Sequence, residues 1–134
     1  MGRTAVLKKL KSKLEDIPEV RIVRAKQKDW QTEPEYPVAY VFYPNQIFDY
    51  RKISGTTLNA LKGKGLVTIR VVVENSDDTP EFELDELLDT ILLALLQDTT
   101  LGGEAKTTDI LQVQTDGGVI ITHSIGDISI EVQI

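Results

Sequence analysis

The spacing of apolar residues changes along residues 66–97, and this change restricts the possible folds more than any other feature of the sequence. Val67, Ile69, Val71 and Val73 alternate with mostly polar neighbours, which predicts a strand with one buried face. Over residues 80–97 the leucines and isoleucines recur every three or four positions, which predicts an amphipathic helix. The chain must therefore bury a sheet face against a helix face.

Residues typical of helix ends bound the segment 80–97. Thr79 is the expected N-cap, Pro80 suits the first helical position, and the acidic residues that follow favour the positive end of the helix dipole. The expected core stripe consists of Leu84, Leu87, Leu88, Ile91, Leu92 and Leu95. Leu93 lies on the opposite side with Asp89, so both are candidate partner contacts, although a single exposed leucine is also ordinary in a monomer.

A second amphipathic helix is expected near the N-terminus. Thr4 is its expected N-cap, and Pro18 closes the segment. One face holds Val6, Leu7, Leu10, Leu14 and Ile17, and the other faces hold Lys8, Lys9, Lys11 and Lys13. Lys8, Lys9 and Lys11 are candidate subunit-interface residues, and the alternative is an ordinary solvated helix surface.

Shorter apolar and alternating segments predict further strands at 20–25, 37–43, 109–115, 119–125 and 128–134. The apolar positions change parity at Gly126 and Asp127, so a hairpin or bulge must separate the last two segments if both stripes face one core. Residues 26–36 are expected to form an exposed connection, which makes Trp30 a candidate partner contact.

Residues 45–65 show no clean periodicity and contain three glycines, so they predict a long loop. Loops of this length in a compact domain are usually functional or disordered. Arg51, Lys52, Lys62 and Lys64 outnumber the single acid Asp49, which makes these four basic residues candidate contacts for an anionic partner.

The order of these segments predicts one α+β domain over residues 1–134. We expect a mostly antiparallel sheet with two helices packed on one face and a long loop at about 45–65.

The composition gives little support for catalysis. The chain has no cysteine and a single histidine, His123, so thiol chemistry and a multi-histidine metal site are excluded and a catalytic triad is unsupported. The acids of residues 74–89 do not follow the calcium-loop pattern, and residues 62–65 lack the Ser or Thr of a phosphate-binding loop. We therefore expect no enzymatic activity, catalytic residue, metal or cofactor.

The charge and hydropathy exclude two classes of partner. A net charge of -6 disfavours specific nucleic-acid binding, which needs a clustered basic face. The longest apolar run, residues 91–96, is far shorter than the roughly 20 residues that span a bilayer, so no membrane partner is expected.

The charges are divided along the chain. Residues 3–13 contain five basic residues and no acid, whereas residues 74–98 contain nine acids and no Lys or Arg. Opposite patches on different sides of a subunit favour head-to-tail contacts that close into rings, although they could also be adjacent faces of one molecule.

Residues 84–89 and 94–103 carry a resemblance to a known family. Their leucine-rich helix, followed by Asp98, Thr100, Leu101, Gly102 and Gly103, resembles the tail terminator, or tail-completion, proteins of long-tailed bacteriophages. The layout of the rest of the chain is similar to that family, but residues 45–65 match none of its features.

The resemblance implies a structural virion protein, expected to form a hexameric ring that caps the tail tube, ends its polymerisation and joins it to the head-side neck. The implied partners are further copies of the chain, the tail tube protein and a head-tail connector or neck protein. The implied location is the phage tail, with assembly in the host cytoplasm; the absence of cysteine fits a reducing compartment.

Two alternatives stay open. The chain could be another phage structural component, either a head-tail connector or a tail tube protein. It could also belong to a different class, as an enzyme that binds a small molecule or a cation.

Overall fold

The computed structural model describes residues 2–44, 48–52, 61–75, 80–117 and 122–134, with the side chains of 48–52, 61, 62, 80 and 81 excepted. Two helices lie within these ranges, α1 (Arg3–Glu15) and α2 (Pro80–Leu96). The strands are β1 (Ile22–Arg24), β2 (Val38–Phe42), β3 (Phe48–Lys52), β4 (Leu61–Glu74), β5 (Thr107–Thr115) and β6 (His123–Gln133). The prediction of an α+β fold is confirmed.

All the described strands belong to one mixed sheet in the order β1-β2-β4-β6-β5, with β3 also paired to β4. The β1–β2 pairing is parallel and the other described pairings are antiparallel. β4 organises the sheet because it is the longest strand and is paired on both sides. Its residues 68–72 pair with β2 and 61–65 with β3, while 64–74 pair with β6 along the other side.

Alternate residues of β2, β4 and β6 share one apolar cluster with buried residues of both helices. The helical members are Val6, Leu10 and Leu14 from α1 and Leu84, Leu87, Leu88, Ile91 and Leu95 from α2. The strand members are Ala39, Val41, Val67, Ile69, Val71, Val73, Ile128, Ile130 and Val132. This cluster is the main core, and it contains nearly all of the leucine stripe predicted for residues 80–97.

The opposite face of the sheet carries a second, smaller cluster. Val38, Tyr40, Phe42 and Val72 are buried there, and Ile22, Trp30, Tyr36 and Ile125 pack against them. The connection between β1 and β2 therefore covers part of the sheet face that the helices leave open.

The predicted break at Gly126 and Asp127 is wrong, because β6 pairs with β4 in one register from His123 to Gln133. The expectation assumed a single core. Ile125 instead packs in the second cluster while Ile128 belongs to the main core, so the parity change reflects two buried faces. The irregularity lies in β5, where the register shifts between Ile110 and Gln112. Residues 118–121, part of the segment predicted at 119–125, are outside the described residues.

The predicted loop at 45–65 is also wrong over the described part of that range, because β3 and the first residues of β4 form antiparallel pairs there. Backbone pairing does not require alternating polarity, so strands without a hydrophobic pattern escape a periodicity argument. Residues 45–47 and 53–60 lie outside the described residues.

The start of α1 differs from the prediction as well. The helix begins at Arg3 and its N-cap is Gly2, whose carbonyl accepts the backbone N–H of Val6 at 3.1 Å. Thr4 lies inside the first turn, so it cannot cap the helix. The cap predicted at Thr79 falls outside the described residues.

Close approach of α2 to β6 gives a test of the core. A β-carbon on Gly126 would lie 2.8 Å from Leu88 Cδ1 and 3.4 Å from Leu84 Cδ1. We predict that Gly126→Ala lowers the free energy of unfolding by about 1–3 kcal/mol in urea denaturation, because the added methyl overpacks the core. In a Leu88→Ala background the same change should cost much less; an equal cost in both backgrounds would contradict the packing argument.

Candidate functional site

The lysines of α1 lie in two environments. Lys8 is exposed, and Lys11 Nζ lies 3.6 Å from Glu15 Oε1 one turn further along the helix. Lys13 instead faces the turn after α2, where its Nζ lies 2.9 Å from Asp98 Oδ2. The exposed cationic surface of α1 is therefore narrower than the sequence indicates.

Asp98 organises the turn that follows α2. Its Oδ1 accepts the backbone N–H of Gly102 at 2.9 Å, and this bond, the Lys13 ion pair and the charge of Lys9 hold the pKa of Asp98 below its usual range. Lys9 Cε would lie only 2.9 Å from a β-carbon on Gly102, whose φ of +65° also favours glycine. Part of the predicted contact between basic and acidic segments is thus made inside the molecule.

The solvent-facing side of α2 combines large apolar and acidic side chains. Phe82, Leu93 and Leu96 are 65%, 56% and 63% exposed, and Glu86 and Asp89 are exposed between them. These five residues follow each other at intervals of four and three, so they form one stripe along the helix. We call this stripe the α2 outer face.

A cleft of about 390 Å³ adjoins the first turns of α2. It is lined by Glu19, Arg21, Tyr36, Pro37, Glu83, Glu86, Leu87 and Thr90. Three glutamates face one arginine there, so the cleft extends the acidic character of the α2 outer face. Glu86 belongs to both.

Strand β5 forms an edge of the described sheet, since it is paired with β6 alone. Leu111 and Val113 are 55% and 42% exposed along it. The register shift next to Leu111 interrupts the strand, as bulges commonly do at sheet edges.

The predicted basic residues of 45–65 lie on a β-hairpin rather than a loop. Strand β3 and residues 61–65 of β4 contain Arg51, Lys52, Lys62 and Lys64 against the single acid Asp49. We call these two segments the basic arm. Gly63 exchanges backbone hydrogen bonds of 3.0 and 2.8 Å with Ile134.

The register places three of the four basic positions, Arg51, Lys62 and Lys64, on one parity of the two paired segments. Arg51 is opposite Lys62 and Asp49 is opposite Lys64, and directly opposed residues share a face of a sheet. Phe48 and Tyr50 are opposite Gly65 and Gly63 on the other face. Lys52 is opposite Leu61 and has the same parity as Phe48 and Tyr50, so the register does not put all four basic positions on one face.

Trp30, predicted in an exposed connection, is half-buried on the second face of the sheet. Its ring centroid lies 4.6 Å from that of His123, and the Tyr36 ring lies 4.7 Å from His123 on the same face. The Tyr36 hydroxyl donates to the carbonyl of Trp30. These ring contacts give Trp30 and His123 a packing role on this face of the sheet.

Sequence reasoning missed a buried ion cluster beside this aromatic group. The side chain of Glu33 is fully buried, and Arg24 Nε donates to its two carboxylate oxygens at 2.9 and 2.8 Å. Lys28 Nζ donates to Glu33 Oε1 at 2.7 Å. The cluster fastens the connection between β1 and β2 to the strand that precedes it.

Burial alone would raise the pKa of Glu33, but the hydrogen bonds and charges of Arg24 and Lys28 outweigh it and hold that pKa below its usual range. The pKa of the buried Tyr40 is raised by burial first and then by the nearby Glu33 carboxylate. The cluster therefore keeps Glu33 ionised and the Tyr40 phenol neutral at physiological pH.

The ion cluster gives a prediction with a defined pH dependence. Replacing both cations, Arg24→Leu with Lys28→Leu, should cost about 3 kcal/mol or more at pH 7, because it leaves a buried carboxylate unpaired. Glu33→Gln should cost less, since the two cations are about 30% exposed. Chemical denaturation from pH 7 to pH 3 measures both.

The sign of the pH effect differs between the proteins. In the wild type, the lowered pKa of Glu33 stabilises the fold above about pH 4.3, and this contribution is lost as the pH falls through the folded-state pKa. In the double variant burial raises that pKa, so the deficit in stability should shrink as the pH falls. A deficit independent of pH would contradict the account.

No known family model matches this chain, and no curated protein is detectably similar to it in sequence. In the part of the chain that the structure describes, no helix is long and apolar enough to cross a membrane. The same residues contain no group of three or more His, Asp or Glu side chains arranged to hold a metal ion.

The structure adds two residues to the predicted partner surface on α2 and places two other predicted contact residues elsewhere. Leu93 and Asp89 do lie together on α2, but Phe82 and Leu96 belong to the same stripe. Phe82 lies 11 residues before Leu93 and Leu96 lies three residues after it, so a helical projection of the sequence would have placed both on the same side as Leu93. Lys9 and Trp30 are partly buried within the molecule and do not join this surface.

Proposed function

We propose that this chain is a ring-forming structural subunit of a bacteriophage tail, of the tail terminator type. The observation that carries the proposal is the α2 outer face, where three large apolar side chains are more than half exposed on one helix. Several large apolar side chains exposed on one helix face among acidic residues suit a surface that is covered by a protein partner. The resemblance of residues 84–103 to tail terminators supplies the biological setting.

The basic arm supplies a second surface at a different place on the subunit. Two unlike surfaces suit head-to-tail association, which closes into a ring when the rotation between neighbours allows it. Such a ring has two unlike ends. One would bind the last ring of the tail tube, and the other would meet a connector or neck protein and be unable to template a further tube ring.

The proposal does not rely on an active site. The His123 ring packs in tilted contacts against Trp30 and Tyr36, and Glu33 is paired with two cations, so both groups have a packing or pairing role. The protein would act in the virion, after assembly with its partners in the host cytoplasm.

Light scattering after size exclusion, together with negative-stain microscopy, tests the proposal. The expected particle is a ring whose mass is a multiple of 15.0 kDa, and adding it to polymerising tail tube protein should stop tube growth. Long filaments of the chain alone would identify a tube protein, and rings that bind only a neck protein would identify a connector. A monomer under all conditions, including with tail tube, would overturn the proposal.

Matched leucine substitutions test the α2 outer face. We predict that Leu93→Glu leaves the fold intact, by circular dichroism, but weakens self-association at least about tenfold, because it places a charge in an apolar contact. Leu111→Glu is the control, since Leu111 is 55% exposed and Leu93 is 56% exposed. Equal loss of assembly in both variants would argue against a specific role of α2.

A further inference from the structure

We infer that the outer side of α1 in one copy binds the α2 outer face of another copy. This inference rests on the proposed self-assembly and names the two surfaces that meet. It is carried by charge, by the spacing of the charges along both helices and by the direction in which the two surfaces point.

Four polar residues form a stripe along the outer side of α1. Thr4, Lys8, Lys11 and Glu15 follow each other at intervals of four, three and four residues, so they line one side of the helix. Lys8 is exposed, and the Lys11 side chain is 38% exposed. We call this stripe the α1 outer face.

The lysines of α1 are divided between the inside and the outside of the molecule. Lys9 and Lys13 are directed at the turn after α2. Lys8, in contrast, takes part in none of the ion pairs found among the described residues. The pair of Lys11 with Glu15 is long, at 3.6 Å, and exposed, and such a pair contributes little to stability. Lys11 can therefore exchange Glu15 for an acid of another copy.

The α2 outer face has two acids at the matching spacing. Glu86 and Asp89 are three residues apart, as Lys8 and Lys11 are. Both acids are exposed, and neither takes part in the ion pairs found among the described residues. When the two helices lie side by side, each lysine meets one acid whether the helices run parallel or antiparallel. Opposite charges placed in this way favour the contact and fix its register.

Apolar residues of the α2 outer face border this pair of acids. Phe82 lies one turn before Glu86 and Leu93 one turn after Asp89, and both apolar side chains are more than half exposed. Lysine stems commonly lie along apolar surface while their ammonium groups reach a polar partner. The lysines of the α1 outer face can therefore cover these apolar residues and neutralise the acids together.

The α1 outer face is the surface of this chain that best matches the acids of α2. Helix α2 itself contains no Lys or Arg. The other exposed cations among the described residues, Arg21, Lys26, Lys64 and Lys106, lie outside both helices. A pair of exposed cations at helical spacing is thus found on α1 alone within the described ranges.

The two outer faces cannot meet within one molecule. Each lies on the side of its helix away from the buried residues, which for α1 are Val6, Leu10 and Leu14. The buried residues of both helices belong to one apolar cluster, so both outer faces point away from the core that the helices share. Their contact must therefore join two copies of the chain.

Each copy carries both surfaces, so the contact needs no other protein. When it is made once between neighbours, every added copy leaves one α1 outer face and one α2 outer face open, as head-to-tail association requires. Two copies that face each other would instead make the contact twice and stop at a dimer. The proposed ring requires the first arrangement, and the mass of the particle distinguishes the two.

Charge exchange between the two surfaces tests the inference. The α1 variant is Lys8→Glu with Lys11→Glu, and the α2 variant is Glu86→Lys with Asp89→Lys. We expect each alone to associate at least about tenfold more weakly than the wild type in sedimentation velocity at low salt, where charge effects are least screened. An equimolar mixture of the two, or one chain with all four changes, should recover the association, because lysines and acids then face each other again.

The control is Lys26→Glu with Lys106→Glu, which makes the same change in net charge at two exposed positions outside both helices. It should associate like the wild type; an equal loss of association in the control would overturn the inference, because net charge alone would then explain the result. Circular dichroism establishes that each variant is folded. If the α1 variant is not, Lys8→Gln with Lys11→Gln replaces it and should make association less dependent on salt.

The outcomes separate the two proposals. If the wild type forms rings but either double variant associates normally, or the four changes together fail to restore association, the contact between α1 and α2 is wrong and the ring proposal stands. A wild type that stops at a dimer, weakened by each double variant and restored in the mixture, supports the contact and overturns the ring. A wild type that never associates, even with tail tube, would overturn both.

Discussion

Backbone pairing along β4 is the constraint on which the rest of the structure depends. Its 14 residues hold β2 and β3 on one side and β6 on the other, so its alternating side chains define two sheet faces at once. Alternate residues of the sheet's strands share the main core with buried residues of both helices. The connection after β1, fastened through Glu33, covers part of the second. Residues 61–65 of β4 also belong to the basic arm, so this one strand contributes to both the core and the arm.

Electrostatics serve two purposes in this fold. Where charges are paired within the chain, as at Lys13 with Asp98 or around Glu33, they fix a turn or a connection in place. The exposed acids Glu83, Asp85, Glu86 and Asp89 of α2, in contrast, take part in none of the ion pairs found among the described residues. The net charge of -6 is therefore unevenly distributed along the chain, with nine acids and no Lys or Arg in residues 74–98 and five basic residues and no acid in residues 3–13.

The sequence predicts the parts of the fold in which burial is periodic. The leucine stripe of α2 and the alternation at Val67 to Val73 identify the main core, because in both segments the apolar residues recur at the period of the buried face. Strand β3 was not predicted, because backbone pairing leaves no hydrophobic pattern in its sequence. The break predicted at Gly126 and Asp127 was wrong because Ile125 packs on the second face of the sheet. Glu33 could not be found, since its cations are nine and five residues away and only folding brings them together. On the α2 outer face, the sequence predicts Leu93 and Asp89 as exposed. Phe82 and Leu96 lie on the same side of the helical projection, but they were not among the predicted contacts.

The bulge in β5 has a consequence for how copies of this subunit can associate. A flat, unpaired edge strand is a template for backbone pairing with a strand of another molecule, and bulges and short edges are among the features by which proteins prevent it. The shift between Ile110 and Gln112 breaks the regular row of backbone donors and acceptors beside Leu111. The shift therefore disfavours regular backbone pairing of a further strand along this edge of the described sheet.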